Sequence, residues 1–282
     1  MKLCRYGKDG LEKPGMIDSE GKLRDLSKVV ANIGPNEISA RGLAMLSKVK
    51  PESLPVVSNN PRLGVPYIGI GKFVAIGLNY SDHAKEAGMP IPVEPIVFCK
   101  ATTCISGPGD DVIQPKGSTR LDWEVELGVV IGTKAQYVPV EKALDFVAGY
   151  CVVNDLSERA FQMATSQWDK GKGFDTAGPI GPWLVTTDEI TDPQRLDLWL
   201  DVNGKRMQSG STRTMVFGCA QIVSHVSQYM TLMPGDVITT GTPPGVGMGV
   251  KPNPVFLKPG DVLTLGIRGL GEQRQKVVAY SD

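Results

Sequence analysis

Leu121-Asp122-Trp123-Glu124-Val125-Glu126-Leu127-Gly128-Val129-Val130-Ile131 is the stretch whose reading decides the fold. Its clean alternation and its content of valine, isoleucine and tryptophan predict a β-strand. Successive strand side chains point to opposite faces, so Trp123, Val125 and Leu127 share one face while Glu124 and Glu126 share the other. The two carboxylates then sit about 7 Å apart along the backbone and can converge on one point. Like charges that close, in so apolar a segment, repel unless a cation or a proton neutralises them. The competing reading is a half-exposed strand with a solvated glutamate face, and the E-x-E spacing alone favours it.

A third acid changes the balance. Asp155 directly follows the apolar run Ala148-Gly149-Tyr150-Cys151-Val152-Val153, at the mouth of a buried strand. Glu124, Glu126 and Asp155 together offer hard oxygens without histidine or cysteine, which suits Mg²⁺ or Mn²⁺, with Ca²⁺ as a third candidate, and argues against zinc. The chain has two histidines. His83 lies in Gly77-Leu78-Asn79-Tyr80-Ser81-Asp82-His83-Ala84-Lys85-Glu86-Ala87-Gly88, a short helix that Ser81 or Asp82 would cap and Gly88 would end. Glu86 stands three residues on, hence on the same face. A carboxylate beside an imidazole orients it and raises its basicity, as a general base acting on water requires; the alternative is a surface His–Glu pair. His225, beside the apolar stripe of a second helical run, reads as a packing residue.

Further along, Arg159 and Gln162 fall one turn apart, near Asp155 if the segment is helical. That arginine would suit a substrate carboxylate. Lys172, flanked by glycines, would neutralise an enolate or carboxylate, or else lies in a solvated loop. Gly241-Thr242-Pro243-Pro244-Gly245-Val246-Gly247-Met248-Gly249 matches neither a dinucleotide fingerprint nor a P-loop. Its backbone amides and Thr242 are suited to a close approach to a small anion.

Around these motifs the chain reads as mixed and mostly β, with few helices. The first 66 residues form short strand-like runs and a turn-rich linker, a small N-terminal α+β module; residues 67–282 form the main domain. Ile68 to Gly77, Phe146 to Val153 and Leu196 to Val202 read as strands, and Met215 to Met230 as a helix. Pro234-Gly235-Asp236-Val237-Ile238 is echoed by Pro259-Gly260-Asp261-Val262-Leu263, each a turn feeding a strand, together read as adjacent arms of a rolled sheet. The 282 residues carry 30 basic and 30 acidic side chains, without a basic block or acidic tail, which speaks against nucleic acid or an anionic membrane as partner. No signal-peptide pattern and no apolar window near ~18 residues is present. Five cysteines, mostly in apolar contexts and without CxxC spacing, read as reduced structural thiols in a cytoplasm.

Five segments taken together resemble the fumarylacetoacetate hydrolase family, in its branch of acylpyruvases and dioxo-sugar-acid hydrolases. They are G-L-N-Y-S-D-H-A-K-E (77–86), D-W-E-V-E-L-G-V-V-I-G (122–132), N-D-L-S-E-R-A-F-Q (154–162), K-G-F-D-T-A-G-P-I-G-P (172–182) and G-T-P-P-G-V-G (241–247). The resemblance implies a β-roll, a homodimer, and Mg²⁺ or Mn²⁺ on Glu124, Glu126 and Asp155. It implies His83 with Glu86 as a water-activating dyad, and Arg159, Gln162, Lys172 and Thr242 at the substrate. The founding eukaryotic enzyme has a further aspartate ligand where this chain reads Ile76-Gly77-Leu78, so a three-carboxylate site is expected. The implied reaction is hydrolysis of the C3–C4 bond of a 2,4-dioxo acid, with a leaning toward 3-deoxy sugar acids such as the fuconate or rhamnonate derivative. Relatives also include oxaloacetate decarboxylases, 2-hydroxyhepta-2,4-diene-1,7-dioate isomerases and proteins labelled ureidoglycolate lyase. A non-catalytic binding homologue would lack one of these ligands or His83.

Overall fold

The strand expected at Leu121–Ile131 forms, but in two pieces and buried on both faces. The computed structural model describes residues 1–281. In chain order its strands are β1 (Lys2–Tyr6), β2 (Lys13–Ile17), β3 (Leu23–Asp25), β4 (Phe73–Gly77), β5 (Ile96–Lys100), β6 (Ile105–Ser106), β7 (Val112–Gln114), β8 (Leu121–Asp122) and β9 (Val125–Ile131). There follow β10 (Val147–Asn154), β11 (Ser157–Glu158), β12 (Gly178–Thr186), β13 (Asp197–Val202), β14 (Lys205–Ser211), β15 (Val237–Thr239), β16 (Val262–Ile267) and β17 (Gly271–Ala279). The helices are α1 (Ala40–Leu46), α2 (Ser81–Ala87), the single turns α3 (Arg159–Gln162) and α4 (Asp169–Lys172), and α5 (Cys219–Tyr229).

A large mixed sheet runs β3-β2-β1-β12-β10-β9-β15-β4-β5, with β6 beside β12; a second runs β14-β13-β16-β17-β7, and β8 pairs with β11. The 1–66 segment contributes the β3-β2-β1 edge, joined to the main body where Leu3 pairs with Leu184. Residues 51–66 return along the same strands, with Leu63 bridged to Tyr6 and Val56 to Arg24. The core lies between the two large sheets, where β9 and β10 face β13, β16 and β17. Leu127, Val129, Val152, Leu198, Leu200 and Leu265 are buried there.

The break in the Leu121–Ile131 run falls at Trp123–Glu124, and its backbone amides find side-chain acceptors. The Trp123 amide donates to Asp122 Oδ1 (2.8 Å), that of Glu124 to Asn154 Oδ1 (3.3 Å) and that of Val125 to Gln208 Oε1 (3.0 Å). Buried amides need such partners, so two long-range side-chain amides substitute for the missing ladder. Asn154, Gln275 and Gln273 continue as a buried chain that ties the second sheet to the first.

Three expectations need correction. Ile68 is exposed and Gly69 takes φ +82°, so the strand read as Ile68–Gly77 starts only at Phe73. The helix read from Met215 starts at Cys219, with Gln221 Oε1 accepting from the Gly218 amide (2.9 Å) at its start. The repeated Pro-Gly-Asp segments are not neighbouring arms, because β15 lies in one sheet and β16 in the other. Their likeness is local. Asp236 accepts from the Met233 amide (2.7 Å) and Asp261 from the Lys258 amide (2.9 Å), the same turn made twice.

Candidate active site and metal centre

β9 and β10 set the centre through their register. Val153 pairs with Glu126 and Asn154 with Val125, and the Asp155 amide donates to the Glu124 carbonyl at 2.9 Å. This brings Glu124, Glu126 and Asp155 together, with one ligand oxygen from each lying within 4.8 Å of the others. All three are buried, with exposures of 6, 1 and 1 %, so the solvated reading of the glutamate face fails.

The surroundings push the pKa values of the two glutamates, two residues apart, in opposite directions. Burial alone would raise Glu124, but Lys172 and Arg159 outweigh it and hold that carboxyl below its ordinary range. Burial holds Glu126 well above its range, and the charges of Asp155 and Glu124 reinforce it. Lys172 Nζ contacts Glu124 Oε2 (2.8 Å) and Asp155 Oδ2 (2.6 Å). Glu126 Oε2 instead accepts from Thr239 Oγ1 (2.5 Å) and the Gly241 amide (2.7 Å), while its Oε1 takes no protein hydrogen bond among the described residues. A buried trio of hard oxygens, one of them without a cationic partner, is a donor set that fits a divalent cation.

The other expected residues line the same cavity of about 330 Å³ as the three acids. His83 Nδ1 lies 3.0 Å from Glu86 Oε2 on α2, and Nε2 takes no protein hydrogen bond among the described residues. Neither Ser81 nor Asp82 caps that helix; the cap position is Tyr80, with Gly88 left-handed at the other end. Lys172 is not in a solvated loop but 3 % exposed. Glu158 caps α3, accepting from the Phe161 amide (2.8 Å). Arg159 commits Nε to Asp122 (2.9 Å), one terminal nitrogen to Glu124 (2.6 Å) and the other to Gln162 (3.1 Å). Three of its five N–H groups thus position protein side chains, leaving two for a substrate. Thr242 donates its hydroxyl proton to the Val125 carbonyl (2.9 Å) and accepts from Gln208 (2.8 Å), so its first role is to support β9.

The glycine-rich loop does hold acidic groups, and they are the chain's own carboxyls. Gly241 N–H grips Glu126, Gly245 N–H grips Glu86 (3.0 Å), and the amides of Gly247 (2.6 Å) and Met248 (3.0 Å) grip Asp122. The sequence reading missed Asp122, Thr239 and Lys100. Lys100 is fully buried and donates to Asp155 Oδ1 (2.5 Å) and to the Lys172 carbonyl. Its signal was a lone cation ending the apolar strand Ile96-Val97-Phe98-Cys99.

Fold and site define a β-sheet protein built round a carboxylate centre with an adjacent histidine–glutamate pair. The family model for the C-terminal domain of fumarylacetoacetate hydrolase matches residues 72–278, and the chain belongs to that family. A Burkholderia orbicola protein named as a hydrolase, without a substrate, is 62% identical over 277 residues, 98% of each chain. The fumarylacetoacetate hydrolase of the psychrophile Exiguobacterium antarcticum is 36% identical with a TM-score of 0.89, over 99% of this chain and 100% of that one. A 2-hydroxyhepta-2,4-diene-1,7-dioate isomerase from Mycobacterium marinum is 29% identical with a TM-score of 0.75, over 100% of both chains. The family's named members thus include hydrolases and isomerases. Among the described residues no helix is long and apolar enough to cross a membrane.

Proposed function

We propose that the protein is a divalent-metal-dependent hydrolase that splits the C3–C4 bond of a 2,4-dioxo acid, an acylpyruvate or a 3-deoxy sugar acid, into pyruvate and a second acid. The observation that carries this reading is the His83–Glu86 pair in the same cavity as the three buried carboxylates. Mg²⁺ or Mn²⁺ held by Glu124, Glu126 and Asp155 would supply Lewis-acid polarisation of a 2-oxo acid's keto oxygen and carboxylate.

The residues of the chain do the rest. Glu86 is fixed by the Gly245 amide and orients His83, whose Nε2 takes a proton from water as the hydroxide adds to C4. The C3–C4 electron pair then moves to C3, giving pyruvate enolate and a new carboxylic acid. The Lys172 ammonium balances the enolate charge, and the proton on His83 passes to C3. Atoms balance as substrate plus one water to two acids.

An isomerase moves a double bond without consuming water, so products separate the two readings. Acetylpyruvate with Mg²⁺ or Mn²⁺ should yield pyruvate and acetate in equal amounts, with ¹⁸O from labelled water in the acetate. A Glu86→Gln enzyme that keeps the full hydrolytic rate would remove the dyad from the mechanism.

A further inference from the structure

Three methionines that the core does not use line the same cavity. Met89, Met163 and Met248 are 51, 65 and 40 % exposed, come from three separate segments, and all line the cavity. Beside them Trp168 stands edge-on to Phe98, ring centroids 5.3 Å apart and planes at 71°, and both rings also line it. The indole has a built seat. A Cβ on Gly77 would lie 2.6 Å from Trp168 Cζ3, so the ring rests on the bare backbone of β4.

Beyond the carboxylates, Arg159, Lys172 and the dyad, Lys251 is the one charged side chain in the lining. A polyhydroxylated tail against thioethers and an indole gives up water for hydroxyls that find no partner, costing about tenfold in affinity for each. An alkyl tail gains roughly fourfold for each methylene fully buried. Methionine is flexible and polarizable, so this wall fits tails of several shapes and grades them by apolar area.

We propose that Met89, Phe98, Met163, Trp168 and Met248 form a subsite that takes the distal substituent of a 2-oxo acid as an alkyl or aryl group and discriminates against polyhydroxylated tails. This rests on the hydrolase reading above and narrows its substrate class.

Two measurements on the Mg²⁺-loaded protein test it. Calorimetric titration with straight-chain 2-oxo acids, from four to eight carbons, should show affinity rising two- to fourfold per methylene. A 3-deoxy-2-oxo sugar acid of matched length should bind at least tenfold more weakly than the alkyl acid. Trp168→Ala and Met163→Gln should flatten the gradient, and Trp168→Phe should keep it. A flat series, or tighter binding of the sugar acid, overturns the subsite. The kcat/KM values for acetyl-, hexanoyl- and benzoylpyruvate and for a dioxo sugar acid separate the two ideas. Graded binding without cleavage of any dioxo acid keeps the subsite and removes the hydrolase; cleavage that favours the polyol does the reverse.

Discussion

The floor and the mouth of the cavity are made by different rules. The floor stands on paired strands: Glu126 on β9, and Glu124 and Asp155 at its start and at the end of β10, fixed by ladder hydrogen bonds and by buried cations. Apart from Phe98 on β5, the mouth is assembled from turns and helix ends: Met89 after α2, Met163 and Trp168 between α3 and α4, Met248 in the glycine-rich loop. Electrostatics governs the floor, where exposures are 6 % or less for the three acids; apolar contact governs the mouth. Charge removed from the floor should therefore change metal binding and stability together, while changes above it alter substrate binding or turnover and leave the metal in place.

The largest effect expected is on the floor itself. Glu126→Gln should lower metal affinity by more than about 100-fold by calorimetry, beyond what loss of an outer-shell partner costs. Turnover should fall about 10³-fold or more, since the cation supplies several kcal/mol of charge stabilisation. Unchanged metal affinity would show that the trio is not the centre. Lys172→Met comes next. Without metal it leaves Glu124 and Asp155 short of a buried counter-charge, a loss of about 3 kcal/mol in denaturant unfolding. Added Mg²⁺ should recover much of that loss, and equal loss with and without Mg²⁺ would separate Lys172 from the metal site.

Above the floor, His83→Gln should cut kcat by about 10²-fold while leaving metal affinity and melting temperature near wild type. A matching loss of metal affinity would make His83 part of the centre instead. The smallest effect lies far from the cavity, at the edge formed by residues 1–66, and serves as its control. Burial of Glu12 would raise its pKa, but the hydrogen bond from Arg62 and the charge of Arg5 outweigh it, so the folded value lies below the ordinary glutamate range. A depressed folded value stabilises above the unfolded pKa and loses that contribution as pH falls through the folded one. Glu12→Gln should thus lower Tm by about 2 °C at pH 7, with the deficit closing in acid and metal binding unaltered. A deficit that persists in acid would mean that the loss is one of packing.

What could be read from the sequence follows the same division. The strand around Glu124, the Asp155 strand end and the His83–Glu86 spacing were legible because period-2 and helical offsets are local. The interruption at Trp123–Glu124 was not, because the acceptors that permit it, Asn154 and Gln208, lie 30 and 83 residues away. Lys172 read equally as solvated loop or site, since its burial depends on two carboxylates from other segments. Lys100 lay hidden for the same reason. The apolar mouth gave no signal at all: Met89, Phe98, Met163, Trp168 and Met248 share no periodicity, and only the fold gathers them.

The amide of Asp155 bonded to the carbonyl of Glu124 has one more consequence. It makes the β9–β10 ladder a ruler, since the separation of the carboxylates is counted in residues from that rung. Slipping the pairing by one residue would turn Glu126 to the opposite face and take it from Asp155. The side chains of Met89, Met163, Trp168 and Met248 hold no graduation of this ruler. They can be exchanged while the marks beneath stay in place, so one centre can be refitted for many substrates by changes confined to its mouth.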